Sequence, residues 1–258
     1  MIGIFDSGVG GLCALREARR RLPDCDFLYF GDTGRLPYGT RSPDTVIRYS
    51  MQALRFLRAQ GAERALAACG TVSSVALGRL ERARILPVSG VVEPAVRAAL
   101  RATRNRRVAV LGTAATIESG SFERALRRRG VLTAGVACPL FVALAENGLT
   151  DPRDAAVRSL AARYLAPLRG FGADTVILGC THFPLLRRAI GAALPGVTLI
   201  DSAREASCYL AGHCDAPTER GRVYCFVSDA PRAFERVASL FLGGDFPVHA
   251  EQIDIERY

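Results

Sequence analysis

Two cysteines stand where a thiol could do chemistry. Val176-Ile-Leu-Gly-Cys-Thr-His-Phe-Pro-Leu185 is a short aliphatic run that stops at a glycine and then presents a thiol, a hydroxyl and an imidazole in succession. Bounded by Gly179 and Pro184, the run reads as an interior strand of a parallel sheet, and the carboxyl ends of such strands are where open α/β sheets bind ligands. Cys180, Thr181 and His182 therefore form a candidate site. Leu66-Ala-Ala-Cys-Gly-Thr-Val-Ser-Ser74 offers nearly the same arrangement, with Cys69 lying 111 positions before Cys180. A thiol pKa, ordinarily about 8.5, can be tuned toward neutrality, so one cysteine can act as thiolate base while the other acts as thiol acid. Two such groups facing one substrate carbon from opposite sides are what a cofactor-free racemisation needs. Asp6 and His182 are the groups placed to tune the two sides, leaving hydroxyls and backbone amides to hold substrate carboxylates.

Other readings stay open on the residues alone. A cysteine that ends an apolar strand is commonly structural. A metal site from Cys69, Cys180 and His182 is conceivable, but a Cys-x-His spacing with no Cys-x-x-Cys partner is poor zinc grammar.

Composition excludes more. The 258 residues include no lysine, so all 34 basic residues are arginine, set against 25 acids for a net charge of +9. A pyridoxal-phosphate enzyme holds its cofactor as a Schiff base on lysine, and that route is closed here. The arginines are scattered over helices, as in Arg16, Arg19, Arg20 and Arg21 and again in Arg127, Arg128 and Arg129, with no basic stripe interleaved with aromatics. Nucleic acid is therefore not the expected partner, although attraction of an anionic small molecule is. Met1 to Asp6 reads as a strand rather than a signal peptide, which makes a reducing, cytoplasmic setting the expectation for the eight cysteines. Cys13, Cys25, Cys208 and Cys225 are expected to be small buried hydrophobes. No apolar run approaches the length of a membrane span, so no membrane partner is expected. Apolar helical stripes could pair subunits into a homodimer, although stripes at helical spacing more often face a core.

The flanking segments say which elements must position the thiols. Ile2-Gly-Ile-Phe5 matches Val108-Ala-Val-Leu111, and Leu86-Pro-Val88 matches Thr198-Leu-Ile200, at offsets similar to that of the cysteines. Two similar half-domains follow, each within the common domain size of about 100–150 residues. The first strand delivers Asp6-Ser-Gly-Val-Gly-Gly-Leu12 into a helix ending near Leu22-Pro23. Its glycines match a dinucleotide fingerprint only loosely and suit close backbone approach to a small ligand. Phe27 to Phe30 is a second strand, and the following Gly31 to Gly39 loop either presents backbone amides to an anion or is an ordinary surface turn. Ser42 and Pro43 cap and open a helix with Ile47, Met51, Leu54 and Leu57 on its apolar face, ended by Gly61. A third strand is expected to carry Cys69, Thr71, Ser73 and Ser74, and a fourth to run from Leu86 to Pro94.

The second half restarts at Arg106-Arg-Val-Ala-Val-Leu-Gly-Thr113, whose hydroxyl-rich loop to Gly120 is the counterpart of the Asp6 loop. Val131 to Cys138, a long helix opening at Asp151-Pro152, the Cys180 strand and Thr198 to Ser202 follow. Val223 to Val227 has no counterpart and is expected to complete the first sheet. The expected architecture is α/β: two similar parallel-sheet domains related by pseudo-twofold symmetry, one of residues 1–94 plus 206–258 and an inserted one of 95–205, with the active site in the cleft between them.

Phe5-Asp-Ser-Gly-Val-Gly-Gly11, Gly31-Asp-Thr-Gly-Arg-Leu-Pro-Tyr-Gly39, Leu111-Gly-Thr-Ala-Ala-Thr116 and Leu178-Gly-Cys-Thr-His-Phe-Pro-Leu185 closely resemble the motifs of the bacterial glutamate racemases, within the aspartate/glutamate racemase superfamily. The resemblance runs nearly end to end. It implies an enzyme without cofactor or metal that interconverts L- and D-glutamate for peptidoglycan precursor synthesis. It makes Cys69 the base for the D isomer and Cys180 the base for the L isomer, with Asp6, Glu146 and His182 as supporting acid–base groups. Asp6, Ser7, Tyr38, Gly39, Gly70, Thr71, Thr113, Thr116, Thr181 and His182 match its substrate contacts. One position departs: the family reads Ala-Cys-Asn-Thr where this chain has Ala68-Cys69-Gly70-Thr71. A lost hydrogen bond to a charged group is worth roughly 1.5–3 kcal/mol, so weaker glutamate binding or looser substrate choice is expected, with catalysis retained and Gly70→Asn lowering the apparent Michaelis constant. The alternatives are a two-cysteine racemase for aspartate or another amino acid, and a catalytically weakened binding protein.

Overall fold

The computed structural model describes residues 1–211, 221–244 and 246–258. Among these described residues, ten strands fall into two wholly parallel sheets. Strands β1 (Ile2–Asp6), β2 (Phe27–Gly31), β3 (Arg64–Ala67) and β4 (Val88–Gly90) form the first. Strands β5 (Arg107–Gly112), β6 (Leu132–Ala137), β7 (Thr175–Leu178) and β8 (Thr198–Asp201) form the second. Strands β9 (Val223–Val227) and β10 (Ala250–Gln252) return to the first sheet, giving the orders β10-β9-β2-β1-β3-β4 and β6-β5-β7-β8.

Stripped of β9 and β10, both sheets run second-first-third-fourth in chain order, so the halves repeat one topology. The register makes the repeat exact at the site. Phe5 pairs with Ala67 in the first sheet and Leu111 with Leu178 in the second, and a cysteine follows each partner by two residues. The strands are near-continuous apolar runs because both faces are covered by helices, which is the rule for parallel sheets. All of β1, β2 and β7 is buried.

Helices Val92–Ala102 and Ser202–Ala211 carry the chain across and back, and one apolar cluster runs through both halves, from Ile4 and Leu12 through Val96 to Val110, Ile177 and Ile200. The expected domain cuts at 94/95 and 205/206 fall inside these two helices.

Several local expectations are corrected. Cys69 lies two residues past the third strand, which stops at Ala67, while Thr71, Ser73 and Ser74 lie in a helix, Gly70–Val75, and the fourth strand stops at Gly90 because Val92–Ala102 is already helical. The long helix opens at Ala155 rather than at Asp151, since it is Asp154 whose carboxylate accepts from the backbone N–H groups of Ala156 and Val157. Ser42 does cap Pro43–Ala59, but the buried face of that helix is Val46, Ala53, Leu54, Phe56 and Leu57, with Ile47 and Met51 half-buried. Cys13, Cys25 and Cys225 are buried, whereas Cys208 lies on the outward face of its helix and is exposed. No helix among the described residues is long and apolar enough to cross a membrane.

Candidate active site

The carboxyl ends of β1, β3, β5 and β7 converge on a cavity of about 260 Å³ between the halves. That is the size of a metabolite site rather than a polymer groove. Ser7, Tyr38, Gly39, Cys69, Gly70 and Thr71 line it from the first half, and Thr113, Glu146, Cys180, Thr181 and His182 from the second. Each half thus contributes one thiol.

The two thiols have different surroundings. Cys69, the residue before helix Gly70–Val75, places its Sγ 3.6 Å from Ser7 Oγ. Burial, reinforced by the nearby Asp6 carboxylate, pushes its thiol up to about 12, which holds it protonated. Cys180 Sγ is 3.7 Å from His182 Nδ1, and His182 Nε2 is 2.9 Å from Glu146 Oε1. Phe241 closes the ring's flank edge-on at 5.2 Å between centroids. Cys180 therefore sits beside a histidine whose far nitrogen is tied to a carboxylate.

Burial opposes a charge on His182, but the hydrogen bonds to Cys180 and Glu146 and the field of Asp6 outweigh it and push its pKa up to about 10. The folded chain thus keeps a proton that an unfolded histidine loses above roughly pH 6.5. Its stabilisation is complete below about pH 6.5 and disappears as pH rises to about 10, with a slope of at most about 1.4 kcal/mol per pH unit. Cys69 acts with the same sign at higher pH. Thermal unfolding followed from pH 7 to 10 is expected to show a falling Tm, and His182→Asn should flatten the curve between pH 7 and 9. An equally steep curve in the variant would mean that other groups set the slope.

Two of the sequence-derived residues do not line the cavity. Asp6 ends β1 almost wholly buried behind Ser7, one carboxylate oxygen accepting from Gly8 N–H at 3.0 Å, and burial raises its pKa against the opposing pull of His182 and of the Gly8 and Gly11 amides. Thr116 is also buried, behind Thr113. The Thr113 hydroxyl lies 3.0 Å from that of Thr116 and 2.9 Å from that of Thr71, so a chain of hydroxyls crosses the seam between the halves. Gly10 serves a close approach to protein rather than to a ligand. A Cβ there would come within 2.7 Å of His182 Nδ1.

The Gly31–Gly39 loop is no ordinary surface turn, because Pro37, Tyr38 and Gly39 all line the cavity. What holds it escaped the sequence reading. Asp32 is 1% exposed and accepts from Tyr38 Oη, from Arg35 Nε at 2.8 Å and from Ser228 Oγ at 2.7 Å. The contact to Ser228, just past β9, ties the loop to the chain's return into the first sheet. Only a carboxylate in a Gly-Asp-Thr-Gly turn hinted at this. Asp32→Ala leaves the buried Tyr38 hydroxyl without its acceptor and Arg35 with Gln52 and Glu256 as its remaining hydrogen-bonding partners, and is expected to cost roughly 3 kcal/mol, or a Tm loss of roughly 6–12 °C by scanning calorimetry. Of the remaining lining, Thr40 is polar and Leu36, Ala114, Pro139, Val142 and Ala143 are apolar.

Gly70 revises an expectation. A Cβ built on it would overlap the backbone carbonyl oxygen of Gly179 and lie 3.0 Å from the carbonyl carbon. Asparagine therefore does not fit at this position as the halves stand, and Gly70→Asn is not a simple restoration of a lost contact. Among the described residues, no group of three or more His, Cys, Asp or Glu side chains is placed to hold a metal ion.

The Asp/Glu/hydantoin racemase sequence model matches residues 13–207. The chain belongs to that family. Family members named glutamate racemase align almost end to end: that of Geobacter metallireducens is 48% identical over 94% of this chain and 93% of its own length, and that of Aquifex pyrophilus 42% over 96% of each. Among solved structures, the Bacillus anthracis glutamate racemase isoform RacE1 superposes with a TM-score of 0.93 at 34% identity, covering 98% of this chain and 97% of that one. The Francisella tularensis glutamate racemase in complex with D-glutamate gives 0.92 at 31% identity, covering 100% and 98%. The Picrophilus torridus aspartate racemase, at 16% identity and a TM-score of 0.55 over 82% of this chain and 94% of that one, shares the fold alone.

Proposed function

We propose that this chain is a cofactor-independent glutamate racemase working by two bases. The supporting observation is that equivalent strands of two repeated sheets deliver Cys69 and Cys180 to one cavity. One thiolate takes the α-proton, leaving the electron pair on the α-carbon, and the opposite thiol gives its proton to the other face of that carbon. The Cα–H and S–H bonds exchange without net oxidation, so no further reactant is needed. His182, tied to Glu146 and held protonated, faces the Cys180 sulfur as a positive partner, and Asp6 biases the Cys69 side toward its thiol form. Ser7, Tyr38, Gly39, Gly70, Thr71, Thr113 and Thr181 line the place of the substrate, and Thr116 orients Thr113. Glutamate is favoured as substrate by the 48% and 42% identical relatives that carry that name.

In this reading the product D-glutamate supplies peptidoglycan precursor synthesis in the cytoplasm, and the chain functions alone or as a homodimer. Residues 1–94 with 206–258, and 95–205, are its two units.

The test is incubation of the purified chain with L- or D-glutamate in deuterated water, following optical rotation and α-deuterium together, with aspartate alongside. Loss of rotation from both isomers with deuterium incorporation supports the reading. Turnover of aspartate alone moves the substrate, and no turnover of either removes the enzymatic reading.

A further inference from the structure

Gly70 is where the two thiol-bearing segments touch. Its Cα faces the carbonyl of Gly179, the residue before Cys180, so closely that a Cβ could not be accommodated. The backbone conformation is not the reason for a glycine here, since Gly70 is not among the residues at positive φ. Space alone excludes a side chain, and the obstruction is backbone rather than the end of a flexible side chain. The contact has the form of a Cα–H···O=C approach between segments that carry one thiol each.

Neither segment can step aside within its own half. Gly179 N–H is bonded to Leu111 O at 2.8 Å in the second sheet, and Gly179 is itself pressed against that carbonyl. Helix Gly70–Val75 is pinned to the first sheet by Ser73, whose hydroxyl donates to Ala67 O at 2.8 Å and accepts from Val91 N–H at 3.1 Å. Toward the second half the same helix makes polar contacts, among them the Thr71–Thr113 hydroxyl pair and the bond from Ser121 Oγ to Ser74 O at 2.6 Å. A side chain at position 70 must therefore part the halves along this seam.

We infer that Gly70 is a positioning residue, which sets the gap between Cys69 and Cys180 through its backbone contact with Gly179. This rests on the two-base reading above. Two-base inversion demands that both thiols reach one α-carbon at once, and a misplacement of about 1 Å can cost about 100-fold in rate. A wider gap lets each thiol still reach its own face, so proton removal and return on the same side should survive better than inversion.

Two measurements on the full-length chain test this. Ligand-free crystal structures of the wild type and Gly70→Ala should show the Cα atoms of residues 69 and 180 farther apart in the variant. An unchanged separation overturns the inference, whatever substrate the chain uses. In deuterated water with L- and D-glutamate, Gly70→Ala should lower kcat for inversion roughly 10- to 100-fold, with KM moving less. Deuterium incorporated with retention should rise relative to inversion, and Gly70→Asn should be affected more strongly. Inversion at the wild-type rate in Gly70→Ala, or a lower KM with undiminished kcat in Gly70→Asn, overturns it. If the wild type leaves glutamate untouched, it is the substrate assignment that falls, while the crystal comparison still decides the role of Gly70.

Discussion

Replacing either Cys69 or Cys180 with serine is expected to abolish racemisation from both isomers, with a loss of roughly 10³-fold or more in kcat, because removing a positioned acid–base group alone forfeits about 10²–10⁴. Serine preserves the shape but not the proton chemistry. Its hydroxyl is far too weak an acid to alternate between protonated and ionised forms near neutral pH. The arrangement also predicts how the two variants differ. In Cys180→Ser, the Cys69 thiol remains next to Asp6 and Ser7, buried and held protonated with a pKa pushed up to about 12. That variant keeps an acid without a base. In Cys69→Ser, Cys180 remains 3.7 Å from His182, facing a protonated ring that can balance a thiolate. That variant keeps a base without an acid opposite it. Slow α-deuterium exchange with retention is therefore expected in Cys69→Ser and not in Cys180→Ser, measured by NMR on each isomer of glutamate in deuterated water. Full inversion in either variant would remove the two-base mechanism.

The thiols were legible because they end strands. An aliphatic run four residues long, stopped by glycine, marks the end of a buried parallel strand, and the second copy at Cys69 shows that the arrangement is repeated. The observed register places both cysteines two residues past equivalent pairs. The return of Val223–Val227 to the first sheet was legible for a related reason, since a strand with no counterpart in the repeat has to find an existing edge. Elements fixed by contacts distant in sequence were not legible. Thr71, Ser73 and Ser74 were expected in a strand, but Ser73 satisfies backbone groups of Ala67 and Val91 and the segment is helical. The partners of Asp32 include Ser228, which no local pattern could supply. Glu146 rested on the resemblance alone, since a glutamate near the end of a short helix carries no signal until the fold brings it 2.9 Å from His182. Gly70 was read as a missing side chain because sequence shows what is absent and not what occupies the space.

His182→Asn removes the group that links Cys180 to Glu146 and is expected to lower kcat/KM by roughly 10²–10³-fold, within the range for loss of a positioned acid–base group. The loss must be the same for L- and D-glutamate. Enantiomers have equal free energies, so the equilibrium constant is one, and the ratio of kcat/KM in the two directions is fixed whatever the enzyme's sequence. A damaged Cys180 side cannot show itself as a preference for one isomer in kcat/KM. It can show itself in which proton transfer limits the rate. With the Cys180 side slowed, the transfer between Cys180 and the α-carbon becomes limiting in both directions. The primary deuterium isotope effect with α-deuterated substrate should then rise for the isomer whose α-proton Cys180 removes and fall for the isomer served by Cys69. Glu146→Gln should act in the same direction and more weakly, because it leaves the imidazole 3.7 Å from Cys180 and alters only the partner of Nε2 at 2.9 Å. Isotope effects that stay equal for the two isomers would place His182 outside the proton path and leave it a packing role against Phe241.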